Sequence, residues 1–140
     1  MADTIPMSSL SLAAARRVLD AAIAEAEALA VNVCVAVSDP SGLPIVTARM
    51  DGAPRLSADL SRHKAATVTA FNGVPTHIWW PAIADDPALR HFVPHLPQFV
   101  ILGGGIPVTV DGQLVGAVGV SGASAEQDQA IAETAVVVLS

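Results

Sequence analysis

Apolar residues recur at helical spacing from the start of the chain. Leu12, Ala15, Leu19, Ala22, Ile23 and Ala26 share one face, and Ser11 stands before them as an N-cap. The pattern predicts a helix reaching Leu29. Its period then shortens: Val33 to Val37 is a β-branched run, Asp39-Pro40-Ser41-Gly42 is a turn, and Leu43 to Met50 returns as a second strand. A second helix is predicted from Ser57 to Phe71, ended by Asn72-Gly73 in the manner of a left-handed cap. Residues 74–97 show no clear period beyond one helical turn near Pro87 to His91, and they hold half of the ten prolines. Such a long aperiodic segment is often functional. Phe99 to Leu102, Ile106 to Val110 and Gln113 to Val120 then read as three strands, the last two turning on Asp111-Gly112. Ala125 to Leu139 closes the chain as a helix with an end apolar all round.

This order predicts an α/β chain of the α+β kind: a five-stranded, mostly antiparallel sheet flanked by helices. Its 140 residues form a single domain, with residues 1–8 a flexible N-terminus. Composition adds that 52% of the residues are hydrophobic, yet no run is long enough for a membrane span. The excess apolar surface points to burial between subunits, hence a homo-oligomer. A net charge of −6 with dispersed basic residues argues against nucleic acid. No secretory signal is visible, so the expected location is cytoplasmic. The one cysteine, Cys34, lies within the first strand as a small hydrophobe.

Candidate chemistry gathers in three places. Lys64 shares a helical stripe with Leu60, Thr67 and Phe71, among residues that should face the core. Its amine either snorkels to solvent, anchors a ligand carboxylate, or is desolvated and takes part in acid–base work. Its neighbour His63 sits further round the helix, at the rim of any pocket. His77, Trp79, Trp80, His91 and His95 crowd one window, where a histidine beside an aromatic wall could move protons and a tryptophan could stack on a flat ligand. No acidic or cysteine partner completes a metal signature there. Finally, Gly103, Gly104 and Gly105 could offer backbone N–H groups to a carboxylate, or simply form a tight bend.

Lys64-Ala-Ala-Thr67, Phe71 through Pro75-Thr76, Gly103-Gly-Gly-Ile-Pro107, and Gly116-Ala-Val-Gly-Val-Ser-Gly122 followed by Asp128 together resemble the GlcG/HbpS family. That family includes the C-terminal domain of PduO-type proteins and is often labelled haem-degrading. The resemblance runs from Ser11 to Leu139. It implies a profilin-like sandwich, assembly into dimers or larger rings, and haem or a related tetrapyrrole as a ligand. The window from Thr76 to Pro97 departs from the family pattern and suggests a specialised pocket.

Three functions follow as expectations. One is a binding protein for a flat, anionic small molecule, haem by resemblance. Another is a cofactor-independent lyase or isomerase on a small aromatic acid, such as a hydroxylamino- or hydroxy-substituted benzoate. There His77, His95 and Lys64 would be catalytic, while His63, Trp79, Trp80, His91 and the glycine turn bind. The last is an accessory oligomer. Both of the first two expect one pocket, built from the Lys64 helix, the His-Trp window and the glycine turn.

Overall fold

The computed structural model describes residues 1–139. Helix α1 spans Leu12–Ala28, and the Ser11 hydroxyl accepts from the Ala14 N–H at 3.1 Å. Its buried stripe is Ala15, Val18, Ala22 and Ala26, whereas Leu12 is exposed, so the helix faces the core slightly off the axis expected. Strands β1 (Cys34–Ser38) and β2 (Pro44–Arg49) form an antiparallel hairpin. The Asp39 carboxylate organises its turn by accepting from the Ser41 and Leu43 N–H groups at 2.8 and 3.0 Å. Helix α2 covers Leu56–Ala70, and Asn72 and Gly73 beyond it are both left-handed, with φ of 57° and 100°.

The window expected to be irregular is mostly helical. A 3-10 turn at Thr76–Ile78 leads into α3 (Trp79–Ile83), followed by α4 (Pro87–Phe92) and a second 3-10 turn at Val93–His95. Asp86 caps α4 and Pro87 occupies its first turn, where a missing N–H costs nothing. Strands β3 (Gly105–Val110) and β4 (Gln113–Ser121) form the second hairpin, and α5 (Ala125–Val136) begins with a Ser124–Gln127 capping box.

The sheet is antiparallel in the order β2-β1-β4-β3, with four strands rather than five. Phe99–Leu102, expected as a strand, lies outside it. Gln98 is left-handed at φ 59°, and the Val100 N–H is satisfied by the Thr67 hydroxyl at 2.9 Å instead of a ladder partner. A side chain on α2 thus takes the place of a neighbouring strand.

The two faces of the sheet are packed by different means. Val33, Val35, Val37, Val118 and Val120 join α1 and α5 in the main core. The opposite face carries Ala117 against Ala65 and Val68 of α2. There Gly119 lies so close to α2 that a Cβ would sit 1.9 Å from the Ser61 carbonyl. Strand alternation of valine with alanine or glycine therefore sets α2 unusually near the sheet, and this seats Lys64 below the surface. Among the described residues, no helix is long and apolar enough to cross a membrane.

Candidate functional site

Lys64 is the chain's single lysine, and it is only 2% exposed. Its Nζ donates to the Val120 carbonyl at 2.8 Å and to Asp128 Oδ2 at 3.1 Å. The other oxygen of Asp128 accepts the Ala123 N–H at 3.0 Å, so this carboxylate joins α2 to the turn entering α5. Burial pushes the Lys64 amine below its ordinary range, and the Asp128 charge and hydrogen bond partly restore it. The amine is thus desolvated rather than snorkelling.

The glycine turn closes over this pair. A Cβ at Gly104, whose φ is 130°, would lie 2.3 Å from the Val120 carbonyl and 2.8 Å from Lys64 Nζ. The turn does not supply the open row of amides expected of a carboxylate cradle: the Gly105 N–H donates to the Thr76 hydroxyl at 2.9 Å, and Gly103, Gly104 and Gly105 are all buried. Its glycines make room for an ion pair.

Lys64 and Asp128 line a cavity of about 280 Å³ between the N-terminal half of α2 and the start of α5. A separate groove of about 380 Å³ opens at the other end of α2. Its walls are Phe71, Trp79, Phe92 and Phe99, with Leu89 and Leu96. Trp79 meets Phe71 and Phe99 edge-on, at centroid distances of 5.0 and 4.9 Å. The one pocket expected from the sequence is therefore two, because α2 is long enough to hold Lys64 in one and Phe71 in the other.

The remaining candidates divide accordingly. Trp80, next to Trp79 but turned outward by α3, is 50% exposed and does not line the groove. His91 and His95 are exposed on the two short turns that form the groove's outer wall. His77 is half-buried. Its Nδ1 and the Nε1 of Trp79 are enclosed yet have no hydrogen-bond partner among the described residues. His63 is half-buried beside Lys64, and its carbonyl accepts from the Thr67 hydroxyl at 2.7 Å. No group of three metal-ligating side chains occurs among the described residues.

Residues 10–137 match the family described as haem degrading protein HbpS-like. The chain belongs to the HbpS-like family. A 15.0 kDa protein from the dhaT-dhaS intergenic region of Citrobacter freundii is 39% identical over 132 residues, covering 92% of this chain and 91% of that protein. A double mutant of Streptomyces reticuli HbpS superposes with a TM-score of 0.87 at 35% identity, over 99% of this chain and 92% of that one. The haem complex of PduOC gives a TM-score of 0.81 at 34% identity, over 92% and 94% of the two chains. Within this HbpS-like chain, the sequence reading missed Asp128 as the partner of Lys64. The signal was available: a lone lysine on an apolar helical stripe requires a carboxylate from elsewhere.

Proposed function

We propose that this HbpS-like protein binds a flat, largely apolar ligand, haem or a related tetrapyrrole, in the aromatic groove at the C-terminal end of α2. The observation that carries the reading is the groove itself, about 380 Å³ and walled by Phe71, Trp79, Phe92 and Phe99. Aromatic edges and leucines suit a planar macrocycle, which gains from burial of its faces. The lining of the groove holds no histidine, but imidazoles stand close by. His91 and His95 stand on the turns that build the outer wall, and His77 lies two residues before Trp79 with a nitrogen unsatisfied by the fold. One of them would serve an iron tetrapyrrole. The haem complex of PduOC, at 34% identity, supports the same ligand class.

Bound there, haem would supply an iron centre able to exchange ligands or electrons. The chain's own part is to stack on the macrocycle through Trp79 and Phe99, keep water from its face, and offer an imidazole. Exposed Arg90, beside His91, offers a cation to a peripheral carboxylate. An acid–base enzyme for aromatic acids would need its base and its carboxylate anchor in one cavity. Lys64 and Trp79 line different ones, which favours binding over lyase or isomerase chemistry.

Titration with haem tests this. A saturable Soret band distinct from that of free haem is expected, with its position altered in at least one of His77→Ala, His91→Ala and His95→Ala. A spectrum indistinguishable from free haem, with a substituted benzoate raising Tm instead, would overturn the haem assignment in favour of an aromatic acid.

A further inference from the structure

The cavity at the N-terminal half of α2 has no part in the haem reading and carries its own chemistry. Ser57 and Ser121 line it and are 3% and 4% exposed. Neither hydroxyl has a protein partner among the described residues. Their oxygens are not sealed in the core, so each is free to donate to a molecule that enters the cavity. Lys64 adds a third donor, since its ammonium has three protons and two protein acceptors. The first residues of α2, Leu56 and Ser57, and those flanking the start of α5, Ala123 and Ala125, also line the space. The amino ends of two helices therefore border it, and both favour negative charge.

Acceptors, by contrast, are already committed. Asp128 spends one oxygen on Lys64 and the other on the Ala123 N–H. The walls are apolar: Pro54, Leu56, Leu60 and Leu102. At about 280 Å³ the cavity stands at the small end of ligand sites, a size that suits a small molecule.

We propose that this cavity binds a small aliphatic carboxylate, with the Lys64 ammonium and the Ser57 and Ser121 hydroxyls as donors and Leu56, Leu60 and Leu102 around its hydrocarbon body. The site is separate from the aromatic groove, so its occupancy does not depend on haem.

Because Lys64 is the only lysine, protein labelled with 15N-lysine has a single side-chain ammonium signal. Isobutyrate is the probe, and isobutyramide is its neutral isostere. Isobutyrate should move the Lys64 signal saturably and isobutyramide should not. Affinity should fall at least tenfold in a Ser57→Ala/Ser121→Ala variant and remain unchanged in Trp79→Ala. Leu102→Trp, which fills the mouth from an exposed position, should also abolish the response. An unmoved signal overturns the proposal, as does an equal response to the amide or an undiminished one in the serine and Leu102→Trp variants.

Discussion

Lys64 and Asp128 are 64 residues apart in sequence and meet at 3.1 Å beneath the glycine turn, both almost wholly buried. Two ions withdrawn from water repay the cost only with help from further hydrogen bonds, which the Val120 carbonyl gives Lys64 and the Ala123 N–H gives Asp128.

Removing one partner should be worse than removing both. Lys64→Met leaves a buried carboxylate unpaired and should cost about 3–5 kcal/mol. Lys64→Met/Asp128→Leu should recover more than half of that loss. Urea unfolding of the three proteins measures it, and equal losses in the single and double variants would refute the coupling.

The same pair gives alkaline stability a definite sign. Burial lowers the Lys64 pKa from 10.5, so the folded state releases this proton before the unfolded state does. Between the folded pKa and 10.5 the unfolded chain binds more protons, and stability gains a rising contribution with pH. Cys34 acts oppositely: burial raises its pKa above 9.0, Arg49 offsetting part of the rise, so its contribution falls as pH passes through that range. In a Cys34→Ala background the unfolding free energy should therefore rise towards alkaline pH, and the rise should vanish in Lys64→Met/Asp128→Leu.

Cys34 should be inert while the protein is folded. The thiol is buried and its ionisation suppressed, so a disulfide reagent should react at a rate set by unfolding rather than by thiolate content. Rapid reaction of the native protein would contradict this.

Two glycines should resist replacement for steric reasons. Gly104→Ala places a methyl against the Val120 carbonyl in a left-handed conformation, and Gly119→Ala drives one into the Ser61 carbonyl. At Gly104 the backbone strain costs about 1–3 kcal/mol before the clash is counted, while at Gly119 the clash with backbone acts alone. Each variant should lower stability by at least about 3 kcal/mol, as calorimetry would show. Gly104→Ala should also displace the Lys64 ammonium resonance.

The two adjacent tryptophans should differ in function. Trp79→Ala removes a wall of the groove and should weaken haem binding at least tenfold, while Trp80→Ala should change it less than twofold. Equal effects would place the ligand elsewhere.

Much of the fold was legible because it is written in local periods. Ser11 caps α1, Asn72-Gly73 ends α2, and Asp111-Gly112 turns the second hairpin, all as the residue types require. Phe99–Leu102 misled because a short apolar run cannot reveal that Thr67, distant in sequence, will take its backbone hydrogen bond. The site was harder to read for the same reason. Lys64 was visible as an anomaly on its stripe, but Asp128 looked like an ordinary first-turn acid of α5. Only the close approach of α2 to β4, permitted by Gly119, brings the two together.

All five aromatic side chains of this chain lie between Phe71 and Phe99, and it contains no tyrosine. The protein's ultraviolet optics thus rest on Trp79 in the groove and exposed Trp80 beside it. Emission from Trp79, in contact with two phenylalanines, reports on that end of α2, while no aromatic side chain lines the cavity of Lys64. The fold comes with a built-in lamp at one of its two cavities, so fluorescence can tell which of them a ligand has entered.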